Sequence, residues 1–146
     1  MAEDALYPIE DALILVSKFQ DKTLDVFDWT HEAHAVVCLY YLSRYDKKAA
    51  LPLVRTAIRS YNDVTEKPNT ETSGYHETMT VFWLYHIQKC CTRNGKVHFD
   101  QATMDDMLWN EQVIGRNVWL TYYSKTLMVS TQARMAFVAP DIKDFD

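Results

Sequence analysis

The sequence predicts an all-α protein, and three observations lead to that class. Apolar residues recur at helical spacing in several segments of the 146-residue chain. Glycine (3 residues) and proline (4 residues) are scarce, which disfavours a turn-rich β protein. No segment alternates apolar and polar residues as a half-buried strand does. We therefore expect one domain over residues 1–146, an up-and-down four-helix bundle with short C-terminal helices and an extended tail.

The first two helices are predicted over residues 8–20 and 29–45. Pro8 suits the start of a helix because its fixed φ is already helical. The apolar face of the first helix comprises Ile9, Ala12, Leu13, Val16 and Phe19. The corresponding stripe of the second helix comprises His31, His34, Ala35, Cys38, Tyr41, Leu42 and Tyr45. Two histidines therefore lie on a face that is predicted to be buried.

The third and fourth helices are predicted over residues 48–62 and 75–92. The inward face of the third comprises Leu51, Val54, Ile58 and Tyr61. The fourth contains VFWLYHI (81–87), which is apolar nearly all round and favours a central position. It is expected to stop before Asn94-Gly95, and the following KVHF (96–99) fits a brief extended piece.

The remaining third of the chain predicts shorter elements. Asp100 is placed as the N-cap of a helix that reaches about Asn110. Ser124 and Ser130 are candidate caps of short helical turns. Pro140 and the acidic residues after it indicate an extended tail over the body of the protein.

Charge and cysteine content exclude several classes of function. The net charge is −5 with no basic cluster, so we expect no nucleic-acid partner. No apolar run approaches the roughly 18 residues of a membrane span, and the acidic start MAEDALYPIEDA is not a signal or transit peptide. Cys38, Cys90 and Cys91 lack the spacing of a zinc site and are expected to be buried thiols. These features predict a cytoplasmic protein.

Polar side chains are expected to converge at one end of the bundle. In an up-and-down bundle the second and fourth helices are parallel, so their first turns lie at the same end. His31 and His34 begin the second helix, while His76 and Glu77 begin the fourth. Burying several unpaired polar groups costs roughly 1–3 kcal/mol each, so partners are required.

A metal ion would satisfy all three imidazoles at once. The sequence therefore predicts a metal-dependent enzyme acting on a small organic molecule by hydrolysis or isomerisation. His31, His34 and His76 would bind a divalent transition metal, zinc first, with iron or copper also compatible. His76 and Glu77 are the candidate catalytic residues, Glu77 as general base or as a carboxylate beside the metal.

Four further residues are expected to contact the substrate. Trp29 and Tyr75 each neighbour a predicted ligand and would form walls of the cavity, while Asn69 and Thr70 would close it as a loop. Arg55 and Arg59 are four residues apart on the third helix and are interpreted as a solvated face, with binding of an anionic substrate as the alternative.

Two other classes of function remain open at this stage. One is a metal-free isomerase, lyase or cyclase, in which His76 and Glu77 shuttle protons while His31 or His34 orients the substrate. The other is a non-catalytic helical binding protein in which the histidines are hydrogen-bonded within the fold.

The segments WTHEAH (29–34) and NTETSGYHET (69–78) are similar to sequence signatures of other proteins. They resemble paired W-T-H-x-A-H and N-T-x-x-G-Y-H-E-T signatures of a set of small all-α proteins, over roughly the middle third of the chain. The resemblance implies a helical fold and no particular activity. The architecture is also similar to four-helix metal proteins of the damage-inducible type with three histidine ligands, although here the histidine pair precedes the single histidine.

Overall fold

The computed structural model of the protein describes residues 7–145. The first half of the acidic amino-terminal stretch and the last residue, Asp146, lie outside the described residues. Within the described range the chain is mostly helical, with eight α-helices and one two-stranded antiparallel sheet. The all-α class predicted from the sequence is therefore confirmed. The up-and-down order of a four-helix bundle stays a prediction.

The helices and strands follow one another along the chain with short connections. The α-helices are α1 (Ile9–Gln20), α2 (His31–Arg44), α3 (Lys47–Val64), α4 (Glu77–Cys91), α5 (Gln101–Leu108), α6 (Glu111–Ile114), α7 (Lys125–Met128) and α8 (Thr131–Met135). The strands are β1 (Thr92–Arg93) and β2 (Lys96–Val97), and 3-10 turns span Val26–Asp28 and Val118–Thr121.

Side-chain caps explain where most of these helices begin. The hydroxyl or carboxylate oxygens of the capping residues accept a hydrogen bond from a backbone N–H in the first turn, which satisfies one of the free donors there. The residues that cap in this way are Thr30, Asp46, Asp100, Ser124 and Ser130. The caps predicted at Asp100, Ser124 and Ser130 are confirmed.

Helix α1 buries a slightly different face from the predicted one. Ala12, Leu15, Val16 and Phe19 are buried, whereas Leu13 is 46% exposed. The prediction for Leu13 was wrong because residues at offsets 0, 3, 4 and 7 form the inward stripe, and Leu13 lies about 100° round the helix from Ala12.

Helix α4 is central in the fold, as its composition predicts. It packs against α2, α3, α5 and α8. Phe82, Leu84 and Ile87 are each 1% exposed or less. The first turn of α4 lies beside the start of α2 and the last turns of α3, since residues from all three line one cavity.

A tight hairpin follows α4. Asn94 (φ 54°) and Gly95 (φ 79°) both adopt the left-handed conformation between β1 and β2. Asn-Gly is the preferred pair for such two-residue turns because both central residues need positive φ. The sequence predicted the end of the helix and an extended piece at residue 96, and the structure adds that the two form a hairpin.

The carboxyl-terminal segment packs on a second apolar cluster. Phe145 stacks on Tyr85 at a centroid distance of 4.3 Å and contacts the ring of Tyr122 edge-on. Asp141 accepts hydrogen bonds from the backbone N–H and the hydroxyl of Ser124. Over residues 7–145, no helix combines the length and the apolar character needed to cross a bilayer.

Candidate functional site

A cavity of about 410 Å³ lies where the first turns of α2 and α4 meet the last turns of α3. Its walls include Trp29, His31, His34, Tyr75 and His76. The sequence predicted these five residues for one site, and all of them line one cavity. This volume falls within the usual range for sites that bind small molecules.

His34 presents a free acceptor nitrogen to the cavity wall. Its Nδ1–H donates to the carbonyl oxygen of Thr30 one turn earlier, at 2.6 Å. In neutral imidazole this assignment leaves Nε2 as the acceptor. Burial lowers the pKa of His34 from 6.5 to about 4 and outweighs the opposite effect of the hydrogen bond to Thr30, while His31 and then Lys67 add smaller effects that also lower it. His34 is therefore neutral at physiological pH.

Trp29 restricts the His34 ring by stacking on its face. The two rings stack at a centroid distance of 3.7 Å, and Trp29 also stacks on Phe19 of α1 at 4.5 Å. An imidazole that is stacked and hydrogen-bonded through Nδ1 has little rotational freedom. The position of Nε2 is thus set before any ligand arrives.

His31 is held through its other nitrogen. Its Nε2–H donates to the carbonyl oxygen of Ile114 at 2.6 Å, and its ring meets Trp83 edge-on at 5.2 Å. The hydrogen bond to Ile114 ties the start of α2 to α6. Nδ1 is the nitrogen of His31 that remains as an acceptor.

His76 uses both of its ring nitrogens within the fold. Nδ1 accepts a hydrogen bond from the backbone N–H of Met79 at 3.1 Å, so the imidazole serves as the N-cap of α4. Nε2–H donates to the carbonyl oxygen of Met128 at 2.8 Å. Burial lowers the pKa of His76, which keeps it in the neutral form that this pair of bonds requires. Neither nitrogen is free to bind a metal or to move a proton.

The three histidines therefore do not form a ligand set in this arrangement. Within residues 7–145, no group of three or more His, Cys, Asp or Glu side chains is positioned to hold a metal ion. A shared centre at His31, His34 and His76 would require His76 to give up at least one of these two hydrogen bonds. The metal centre stays a prediction that the geometry of these side chains does not support.

Glu77 is engaged by a cation and a phenol. Arg55 donates to its carboxylate in a bidentate manner, Nε to Oε1 at 2.9 Å and Nη2 to Oε2 at 2.7 Å. The hydroxyl of Tyr75 donates to Oε1 at 2.7 Å. Burial alone would raise the pKa of Glu77, but these bonds outweigh it and hold the pKa below its ordinary value. Such a carboxylate is a poor general base, and it does not line the cavity.

The role of Arg55 differs from the solvated face that the sequence indicated. The sequence did not indicate that Arg55 has an acidic partner, because that partner, Glu77, lies 22 residues further along the chain. The ring of Tyr75, which lines the cavity, has Arg59 at 5.8 Å from its centroid. Glu77, held by Arg55, and Arg59 therefore both contact Tyr75 and help to fix this residue in the cavity wall.

Asn69 and Thr70 shape the loop before α4 and do not line the cavity. Asn69 Oδ1 accepts hydrogen bonds from the side chain of Asn62 and from the backbone N–H of Tyr75, both at 3.0 Å. The backbone N–H of Thr70 donates to the carbonyl oxygen of Ser73. We infer that both residues stabilise the conformation of the loop, because their hydrogen-bond partners lie within or beside it.

Gly74 allows this loop to close tightly. Its φ is +80°, and a Cβ atom at this position would clash with the carbonyl oxygen of Pro68. Gly74 lines the cavity next to Tyr75. The loop thus brings its own backbone to the cavity wall at the one residue that lacks a side chain.

Two cations at the cavity were missed in the sequence. Lys67 and Arg116 both line it and both are exposed. Lys67 lies in the loop after α3, and Arg116 directly follows α6 and the intervening Gly115. The two residues are 49 positions apart in the sequence. Only the tertiary fold brings residues at such a separation together. No local pattern in the sequence marks either of them.

The cysteines take different environments. Cys38 lines the cavity, is buried, and has its pKa raised to about 12 by burial, so it stays a neutral thiol. Cys91 is also buried, whereas Cys90 is exposed, contrary to the prediction for that residue. A second hollow of about 770 Å³ lies beside Cys90 and Trp109, and none of His31, His34 and His76 lines it.

Comparisons of the chain with protein-family models, with curated proteins and with solved structures found no match.

Proposed function

We propose that this protein binds a small organic molecule in the cavity between α2, α3 and α4 and acts on it as a metal-free acid–base enzyme, of the isomerase, lyase or cyclase kind. His34 Nε2 is the proton acceptor. In the proposed step it removes a proton from a carbon or hydroxyl of the bound molecule and returns that proton to another atom of the same molecule.

The observation that carries this proposal is the state of the His34 ring. Its Nδ1 is tied to the Thr30 carbonyl, its ring is stacked on Trp29, and it remains neutral with Nε2 as an acceptor at the cavity wall. Fixing one nitrogen by a backbone carbonyl so that the other can accept a proton is a common way to prepare a histidine for catalysis.

The other predicted catalytic residues fit supporting roles better. His76 caps α4 and Glu77 is paired with Arg55, so both hold the wall of the cavity in place. The metal-dependent reaction favoured by the sequence is a weaker proposal, because it needs His76 as a ligand. Zinc, iron or copper could bind all three histidines only after His76 had released at least one of its two hydrogen bonds.

A second candidate function is non-catalytic binding of the same molecule. It is favoured by the low pKa of His34, about 4, because an efficient base has a pKa near the working pH. In that case His34 Nε2 only accepts a hydrogen bond from the ligand. A cytoplasmic location, expected from the composition, fits either candidate.

Deuterium exchange distinguishes these functions before any product is known. A library of small organic molecules is first screened for binders that raise the unfolding free energy, by about 2.7 kcal/mol at a concentration near 100 times Kd. Each binder is then incubated with the protein in D₂O, and its C–H signals are followed by proton NMR. A proton-transfer enzyme exchanges one C–H position of its substrate with the solvent.

His34→Asn is the decisive variant. The amide N–H of asparagine can replace the bond from Nδ1 to Thr30, but it offers no basic nitrogen in place of Nε2. We expect binding to persist while the exchange rate falls by about 10²- to 10⁴-fold. His98→Asn, remote from the cavity, is the matched control and should exchange at the wild-type rate. Binding without exchange in the wild type would favour the second candidate, and unchanged exchange in His34→Asn would exclude His34 as the base.

A further inference from the structure

The charge of the cavity is opposite to that of the whole chain. The net charge of the protein is −5. Among the described residues that line the cavity, however, Lys67 and Arg116 carry full positive charges and no carboxylate is present. A region of positive potential in an acidic protein attracts anions.

Neither cation is neutralised by the fold. In the described part of the chain, the carboxylates in ion pairs are Glu77, paired with Arg55, and Asp100, paired with Arg93. The side chains of Lys67 and Arg116 form no hydrogen bond or ion pair with the residues that the structure describes. The carboxylate of Glu77, which accepts a hydrogen bond from the cavity residue Tyr75, is already paired with Arg55.

The backbone directs Lys67 back towards the helices. Glu66 follows the end of α3 in the left-handed conformation with a φ of 62°. The backbone N–H of Lys67 then donates to the carbonyl oxygen of Asn62 at 2.8 Å, and that of Glu66 donates to Asp63. These two bonds form a helix-terminating motif that reverses the chain. Lys67 consequently lies close enough to His34 to affect its charge state.

We propose that the ligand of this cavity is a small organic oxyanion, a carboxylate or a phosphate monoester, whose anionic group is held by Lys67 and Arg116 and whose apolar part contacts Trp83 and Met79. The inference rests on the proposed function and adds the chemical class of the substrate. Arg116 offers the planar donor fork that matches both kinds of oxyanion, and Lys67 adds a point charge.

The oxyanion also prepares His34 for proton transfer. A negative charge beside the imidazole favours its protonated form and offsets the opposing effect of Lys67. Binding therefore shifts the basicity of Nε2 towards neutrality. In this scheme the substrate itself makes the base effective, and an empty cavity keeps it inactive.

The test uses three probes of similar size that differ in charge: benzoate, phenyl phosphate and the neutral benzamide. Binding to the full-length protein is followed by the NMR signals of the His34 ring and of the Trp29 and Trp83 indole N–H groups. We expect both anions to bind at least about tenfold more tightly than benzamide at low salt. The preference should shrink as salt screens the charges, and the pKa of His34 should rise in the complex.

Variants then assign the preference to the two cations. Lys67→Gln and Arg116→Gln should each remove most of the preference for the anions, and both sites are exposed, so the fold should be retained. Lys48→Gln removes the same charge at the opposite end of α3 and should leave the preference intact. Tighter binding of phenyl phosphate or of benzoate identifies the oxyanion.

The possible failures are distinct. If benzamide binds as tightly as the anions, or if all three lysine and arginine variants behave as the wild type, the anion inference is overturned and the proposed acid–base site stands. If no probe alters the signals of His34, Trp29 or Trp83, the cavity is not a binding site and both proposals fall.

Discussion

At the scale of single residues, hydrogen-bond partners distinguish the side chains that are available to a ligand from those that only stabilise the fold. His34, His31 and His76 are all histidines near one cavity, yet only His34 and His31 retain an acceptor nitrogen. Glu77 has two strong donors on its carboxylate. A polar residue with all its partners inside the fold contributes mainly to stability.

Glu77→Gln tests the supporting role of the carboxylate. Glutamine has nearly the same shape but cannot form the charged fork with Arg55, so we expect the unfolding free energy to fall by about 1–2 kcal/mol. Chemical denaturation measures this loss. The double variant with Arg55→Gln should lose less than the sum of the single variants, because the two residues stabilise each other. Full stability combined with loss of deuterium exchange would instead restore Glu77 as a catalytic group.

The pH dependence of stability tests the neutral state of His34. Its pKa is lowered from 6.5 to about 4, so between these values the unfolded chain binds the proton and the folded protein does not. The unfolding free energy should therefore fall as the pH decreases from about 6.5 to 4, with His34 contributing about 2–3 kcal/mol. Denaturation curves at several pH values measure the slope.

His34→Asn provides the control for that slope, since asparagine does not titrate. The difference in slope between wild type and variant isolates the contribution of His34 from those of His76 and His86, whose pKa values are also lowered, mainly by burial. Parallel curves for the two proteins would mean that His34 is exposed to water in the folded state.

For the secondary-structure elements, the start of α4 is the sensitive point. His76 caps this helix through Nδ1 and donates through Nε2–H to the carbonyl oxygen of Met128, the last residue of α7. We expect His76→Ala to destabilise the protein more than His76→Asn by about 1 kcal/mol, because asparagine is a good capping residue and alanine is not. Thermal unfolding of both variants measures the difference. Equal losses would show that the bond to Met128, rather than the cap, supports the helix.

In the whole molecule, the carboxyl-terminal segment closes the second apolar cluster around α4. Phe145 stacks on Tyr85, and Asp141 binds Ser124 at the start of α7. Removing the ring in Phe145→Ala should lower the unfolding free energy by about 2 kcal/mol, since the ring is only partly buried. Denaturant unfolding measures it, and the exposed Phe27→Ala, at 88% exposure, is the control with little expected effect. A similar small effect for both would mean that the tail packs loosely.

The sequence alone determined the helical class, the caps at Asp100, Ser124 and Ser130, and the association of His31, His34 and His76 with one cavity. These follow from local rules, because helical periodicity and capping depend on residues within a few positions of each other. The convergence of the histidines needed only that the starts of the second and fourth helices lie together.

Only the tertiary structure decided which nitrogen of each histidine is free, that Arg55 pairs with Glu77, and that Lys67 and Arg116 meet at the cavity. The partners that decide these points come from distant segments: the Met128 carbonyl is 52 residues from His76, and the Ile114 carbonyl is 83 residues from His31. A hydrogen bond depends on distances within a few tenths of an ångström, and residue types and spacing along the chain do not specify such contacts between separate elements. The sequence therefore placed the histidines at one site, while packing determined their chemistry.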